Sequence, residues 1–483
     1  MINSGSLAET EQHRRRSNVA EQLATSHHDI VIVGGGAAGV AAAIAARRSG
    51  LDTVLIEAGP FFGGELVSGL PIDGCLNARG EWIVGGVARQ LFDAVESAGS
   101  FARAMSDYRQ MWAVCVDPEM LKMSIIEALA EARVNPRLYL TSQDVVVRRN
   151  RVEGIIAVGK GKRYLITGDV FIDCTGDGQL AVSAGAPFEF GGRAGELQPV
   201  SLTYRLTNVD YSKYLDWVAA EPDLFLLAEN PALGYAGKRE AARAARDGGF
   251  PFVALDANGT VLGDAIERGA MDPCTALYLW PTSPARNEVG MNTTRLSGVD
   301  GTNPQELSES LSTLTAQINR CIDFCQKNIP GFADARLAGI APRVGVRETR
   351  RVVGEYVLTE EDVVEGKKSD RGVAKGGHHV DIHGEGTAQV RRAVNDGRSY
   401  DIPYEALVPK NIKNVLMAGR CLSSTREANG SARVMGTCMA TGEAVGVAAA
   451  MMVEAGLRDV REVDVATLRS RLTADGAVVD GTN

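Results

Sequence analysis

Residues 29–57, DIVIVGGGAAGVAAAIAARRSGLDTVLIE, set the architecture. Residues 29–33 are a compact apolar, β-rich run, GGGAAG follows at once, and the Ala-rich stretch 37–49 reads as a helix that Gly50 stops. A second apolar run, 53–56, ends at Glu57, so strand, glycine turn, helix and strand arrive in the order of a βαβ unit. Gly34, Gly36 and Gly39 form GxGxxG, with Ala38 at the helix start. Gly34 permits the tight turn, Gly36 lets the backbone approach a pyrophosphate, and Gly39 lets helix and strand pack closely. Glu57, about 20 residues on, can accept hydrogen bonds from ribose hydroxyls. The helix N-terminus adds positive potential for phosphates. Glycines that merely end a strand would not bring all of these features together, so the reading is a dinucleotide site.

Further along the chain, Asp117 and Pro118 read as N-cap and first turn of a helix over 119–132. Residues 137–174 change to short β-rich runs split by RRNRVEG and GKGKR, which predicts a small antiparallel meander before a last strand, DVFIDC. That strand runs into CTGDG, whose glycines let the backbone approach a ligand. The middle, about 190–400, holds no second GxGxxG and is assigned to substrate binding. Residues 413–418 read as a buried strand, and a small-residue helix follows over 436–454, so the chain returns to the dinucleotide fold. The expected class is α/β: a three-layer Rossmann-like domain with an inserted β-meander and a separate α+β substrate domain. Its divisions are a flexible leader 1–27, cofactor domain 28–190, substrate domain 191–410, cofactor domain again 411–456, and a tail 457–483.

Composition narrows the partners. A hydrophobic share of 45% with 23% charged residues is that of a globular enzyme, and 60 acidic against 51 basic side chains give a net charge of −9. No basic stripe interrupts that balance, so nucleic acid is not expected. Eight scattered cysteines without CxxC read as buried thiols in a reducing compartment. Cys321 and Cys325 share a helix face, where packing outweighs redox or metal use. No run of eighteen apolar residues suggests a membrane span, and Arg14, Arg15 and Arg16 lack the apolar segment an export signal needs. The expectation is a cytoplasmic protein, with homo-oligomers possible and no membrane partner.

The turn alone does not choose between FAD and NAD. With the GG pair Gly63–Gly64, CTGDG, VGVRETRRVVGEYVLTEEDV, VDIH, IPYEALVP and NVLMAGRCLSS followed by SARVMGTCMATGEAVG, residues 28–450 resemble the FAD-dependent oxidoreductase family related to fumarate reductase and succinate dehydrogenase flavoproteins. The resemblance implies an extended FAD, with ADP on the first βαβ unit and the isoalloxazine beside residues 419–446. Cofactor contacts are then expected from Gly34, Gly36, Ala38, Gly39, Glu57, Gly63, Gly64, Asp177, Gly419, Arg420, Gly436 and Thr437. A helix start at Gly436 and Thr437 would also offer free N–H groups to the flavin edge that turns negative on reduction; the alternative for this helix is small-residue packing. The chain departs from such relatives in two places. Phe61 and Phe62 stand where an Arg usually precedes the GG pair, and the histidine segment that links flavin covalently is absent, so FAD should be non-covalent.

Candidate substrate residues are Arg347, Arg350, Arg351, Arg433, His378, His379 and His383. Arginine offers a planar fork to a carboxylate or carbonyl, and histidine exchanges a proton near neutral pH. For the arginines taken singly, salt bridges to Glu348 or Glu355 are the competing role. Arg433 stands out because it lies between the strand and helix expected to frame the flavin, and His383, Arg433 and Arg347 are the expected catalytic set. Three of six histidines fall in GGHHVDIHGEG; His378 and His379 should diverge on a strand, Asp381 and His383 should face one side, and metal ranks last. The expected activity is hydride transfer between flavin N5 and a small organic substrate, as a dehydrogenase, with an electron acceptor or donor still to be identified. The alternatives are reduction of an activated C=C bond and a non-catalytic flavin-binding subunit of a redox complex.

Overall fold

The structure is a computed structural model that describes residues 23–482. Strand β1 (Ala24–Val33), helix α1 (Ala37–Arg47) and strand β2 (Thr53–Glu57) form the βαβ unit, with β1 and β2 parallel and Ile30 opposite Thr53. β1 starts earlier than its apolar run. Ala24–His28 pair with residues 164–168, and the buried His28 is fixed by Asp52 at 2.8 Å, so residues 24–27 are strand and not leader. The polar side chains there hid the strand from a hydropathy reading. The other leader residues, 1–22, lie outside the described ones; Leu23 directly precedes the strand.

Asp117 caps helix α2 (Pro118–Glu131), accepting from the Glu119 N–H at 3.1 Å. It leads to β3 (Asn135–Leu138), which pairs parallel with β2 and is therefore part of the main sheet. β4 (Thr141–Arg148), β5 (Arg151–Gly159) and β6 (Lys162–Asp173) are the predicted antiparallel meander. The last meander arm and the last parallel strand are one continuous β6. Its first half pairs with β5, and its second half pairs parallel with the strand Val415–Met417. Strand order is β3-β2-β1-β6-β5-β4, with Val415–Met417 also on β6.

Helix α3 (Met435–Ala455) packs across α1. A β-carbon on Gly442 would fall 2.1 Å from the Ala38 carbonyl oxygen, and one on Gly446 2.4 Å from that of Ala42. Only glycine admits this approach. Although α3 is apolar and long enough to cross a membrane, it is buried as a core helix. Its first residue is Met435, one before the expected Gly436.

A second, six-stranded sheet follows the order Phe225–Leu226, Val253–Asp256, Ala276–Ser283, Glu288–Met291, Tyr204–Thr207 and Arg336–Ile340, all antiparallel. The helix Pro304–Asn328 shares its core through Leu314, Ile318, Cys321, Phe324 and Cys325. The Cys321 and Cys325 sulfurs lie 3.9 Å apart, one turn from each other. The substrate half ends earlier than residue 410: Val352, which packs beneath the main sheet, and Val373, Ala374, Tyr400 and Ile402 all belong to cores of the cofactor half. Of the expected tail, 457–483, the described residues to 482 include the helix Val465–Ala474, whose Leu468 and Leu472 are buried in that core.

Candidate active site

A cleft of about 410 Å³ runs from the GxGxxG turn to the junction with the second sheet. At one end lie Gly34, Gly36, Ala37, Ala38, Glu57, Gly64 and Glu65. Gly34 has φ +99°, and a β-carbon there would sit 2.3 Å from the Cys174 carbonyl oxygen. Gly39 packs on Gly34 behind the turn, whereas a β-carbon on Gly36 would meet nothing within 4 Å, so its backbone faces open space. Glu57 accepts from the N–H of Gly35 and of Gly59, each at 2.7 Å, which fixes its carboxylate at the strand end. The Gly63 N–H donates to the Gly35 carbonyl at 2.7 Å, locking the GG turn against the first turn. Gly64 faces the cleft and Gly63 packs on Val67 and Ile125. Phe62 is buried beside Gly35 and Phe61 lies on the surface near Lys122. Arg343, from the second half, lines the cleft over Gly64.

Along the middle, Asp177 and Arg420 line the cleft and pair with each other at 2.8 Å, with Thr349 bridging them. Arg350 donates to the Asp177 carbonyl at 2.8 Å and so supports this wall. Gly419 is at the wall with φ +82°. Gly436 and Thr437 are not among the lining residues; Val434, Met435 and Cys438 are. Gly436 is glycine because the backbone of Gly74 and Cys75 crosses it, within 2.5 Å of where a β-carbon would be.

The far end is polar. Arg347 donates to the Pro199 carbonyl and the Ser201 hydroxyl, each at 2.7 Å. Arg433 reaches the Gln198 amide oxygen at 3.4 Å and the Asp381 carbonyl at 3.2 Å. Burial, then the neighbouring Arg433 and Arg295, push the Arg347 pKa down to about 9; burial also lowers that of Arg433. Neither guanidinium is within ion-pair distance of a carboxylate among the described residues. Arg351, by contrast, is buried against Glu348 at 3.0 Å and Glu189 at 3.2 Å, the salt-bridge role weighed for it.

His383 sits on the strand Val380–His383, where alternation puts it beside Asp381 as expected. Arg295, which only donates, is 3.3 Å from Nδ1, so Nε2 carries the hydrogen and donates to the Asp381 carboxylate at 2.8 Å. Burial pushes the His383 pKa to about 3, so the ring is neutral with both nitrogens engaged. His378 and His379 do not diverge: they follow the strand Gly372–Gly376 in irregular backbone and stack with centroids 4.0 Å apart. His378 Nδ1 bonds the His379 carbonyl at 2.7 Å, His379 Nε2 has no hydrogen-bond partner, and His383 turns to Asp381, so the three rings do not converge on one point.

Asp73 was not legible as a site residue. It lies in the two-residue strand Ile72–Asp73, lines the cleft, and presents Oδ2 4.0 Å from His378 Nε2. Its Oδ1 has no hydrogen-bond partner. Burial, with Asp107 and Asp381 nearby, raises its pKa to about 8, so the carboxyl is protonated at neutral pH. A protonated acid and a neutral imidazole in one wall form a group able to exchange a proton with a bound molecule. The sequence signal was faint: PIDGC contains one acidic residue in an apolar run, with Gly74 directly after it.

Three solved structures illustrate the fold likeness. The flavin-dependent brominase Bmp2 matches with a TM-score of 0.47 at 12% identity, over 92% of this chain and 83% of that one. A geranylgeranyl bacteriochlorophyll reductase-like protein from Thermoplasma acidophilum matches at 0.44 and 12%, over 93% and 84%. The p-nitrophenol 4-monooxygenase PnpA from Pseudomonas putida matches at 0.44 and 12%, over 94% and 89%. None of the curated proteins matches the sequence. The family profile described as FAD dependent oxidoreductase matches residues 29–472, nearly the whole described chain. Because that match runs through both halves of the cleft, this chain belongs to the FAD dependent oxidoreductase family: it is an enzyme, and its cofactor is FAD.

Proposed function

We propose that the enzyme transfers hydride between FAD and a small organic anion, acting as a dehydrogenase. One observation carries this reading: Arg347 and Arg433 are held in the cleft wall by neutral oxygens only. Both guanidinium groups are half-buried and, although Asp381 acts on them from a distance, neither has a direct ion pair; a substrate carboxylate would supply one and accept the guanidinium fork. FAD, when bound, supplies the redox chemistry. The chain's own residues bind, orient and handle the proton. Arg347 and Arg433 orient the anion, and the Asp381–His383–Arg295 chain fixes the floor beneath them. His378 Nε2, left free because Nδ1 bonds the His379 carbonyl, takes up the proton that an alcohol or amine loses on oxidation, and the neutral Asp73 carboxyl stands beside it in the same space.

A second reading, reduction of an activated C=C bond as in fumarate reductase, is favoured by the protonated state of Asp73, since a neutral carboxyl is a ready proton donor. Two experiments separate the readings. Anaerobic bleaching of the flavin by hydroxy or amino acids supports oxidation; re-oxidation of photoreduced protein by unsaturated acids supports reduction. In either direction, Arg347→Ala and Arg433→Ala should keep FAD and lose the response to acids. Variants that respond as the wild type does would remove the assignment.

A further inference from the structure

We propose that Arg343 supplies the cation that faces the FAD pyrophosphate, replacing a basic residue that the phosphate-binding turns lack. Residues 58–65, AGPFFGGE, contain no Lys or Arg, and the acidic Glu65 lines the cleft beside Gly34, Gly36 and Gly64. A carboxylate beside a diphosphate is unfavourable unless a cation lies between them. The nearby Lys122 is already engaged by Glu119 at 2.8 Å and by the Phe61 ring. Arg343 meets the need from a distant part of the chain. Its Nη1 lies 3.5 Å from the position a β-carbon on Gly64 would take, and its Nε lies 3.5 Å from Glu65 Oε1. The side chain is 47% exposed, so the guanidinium still has room to meet a ligand. A bond to Glu65 alone is a poor account of it, since the pair is long, half in solvent and of little worth to stability.

The backbone that delivers it is fixed. Residues 341–347, APRVGVR, leave the strand Arg336–Ile340 and are tied to the second sheet by Ala341 N–H to Thr203 at 2.8 Å and Gly345 N–H to Ser201 at 2.7 Å. One short segment of the second half thus sets Arg343 over the nucleotide turn and Arg347 at the reaction end. The pyrophosphate would then rest on the amides at the start of α1 below and on a guanidinium fork above.

The test uses the full-length protein stripped of flavin and titrated with FAD, with ADP and with riboflavin, which lacks the diphosphate. Arg343→Ala should raise the Kd of FAD and ADP roughly 10- to 100-fold, the loss of one charge-assisted contact, and leave riboflavin unchanged. Its FAD affinity should also depend less on salt. Arg343→Lys should recover part of the loss, and Glu65→Gln placed on Arg343→Ala should recover part by removing the repulsion. The release rate of FAD from the holoprotein is an independent readout and should rise in parallel. Wild-type FAD affinity in Arg343→Ala, or an equal loss for riboflavin, would overturn the proposal.

Discussion

Asp73→Asn replaces a carboxyl with a neutral group of the same shape, so it isolates the cost of keeping an acid in the cleft wall. With a pKa of about 8 against 3.8 for the free side chain, Asp73 stays protonated in the fold while the unfolded chain ionises. The folded state therefore binds the extra proton between about pH 4 and pH 8. Stability from this group is fully present below about pH 4, falls as pH rises, and is gone above the folded pKa. The slope is about 1.4 kcal/mol per pH unit, so at pH 7 the wild type has lost on the order of 4 kcal/mol relative to its own stability at low pH. The amide, which does not titrate, escapes that loss. For a chain this long unfolding as one unit, the difference is roughly 4 °C in Tm. Thermal unfolding of both proteins from about pH 5 to pH 9, a range that spans the folded pKa, checks it. Asp73→Asn should overtake the wild type progressively toward pH 8, while turnover falls on the order of 10²-fold or more and FAD stays bound. Parallel Tm curves across that range would mean that Asp73 is ionised in the fold, and the proton-exchanging wall would lose its acid.

Glu57→Ala removes the acceptor of the Gly35 and Gly59 amides and, if Glu57 holds the ribose as proposed, that contact too; it should raise the FAD Kd roughly 10- to 100-fold in a flavin titration. Gly442→Ala forces a β-carbon into the Ala38 carbonyl; a stability loss of about 1–3 kcal/mol and weaker FAD retention are expected, measured by denaturant unfolding and flavin content. His383→Ala uncouples Arg295 from Asp381 and should cost about 1–3 kcal/mol of stability. Because that ring is neutral with both nitrogens in use, the pH profile of flavin reduction should keep its shape; loss of one limb would instead make His383 the proton carrier.

The glycine-turn end of the cleft was legible because its residues are local. Gly34, Gly36 and Glu57 lie within one βαβ unit, and spacing alone fixes their relation. The helix α2, its Asp117 cap and the meander were legible for the same reason, as runs and breaks along the chain. The polar end of the cleft was read only in part. Arg347, Arg433 and His383 could be named by residue type, but which arginine forms an ion pair is decided by Glu348 and Glu189, which take Arg351; Arg350 goes to the Asp177 carbonyl, and Arg347 and Arg433 remain in the cleft wall. Asp73 and His378 meet from segments about 300 residues apart in sequence, a relation that no periodicity carries. Arg343 lay one residue ahead of the stretch whose pattern drew notice. The domain limit at 410 and the tail at 457 were misplaced because Tyr400, Ile402, Leu468 and Leu472 look like ordinary apolar residues wherever they pack.

In the proposed reaction, the half-buried guanidinium groups of Arg347 and Arg433, which form no ion pair, select an anion for reaction with the flavin. The decisive measurement is an anaerobic titration of the holoprotein with matched pairs of organic acids and their methyl esters. At least one acid should change the flavin's oxidation state while its ester leaves the spectrum unaltered. Esters reacting as fast as their acids would show that the two arginines do not choose the substrate by its charge.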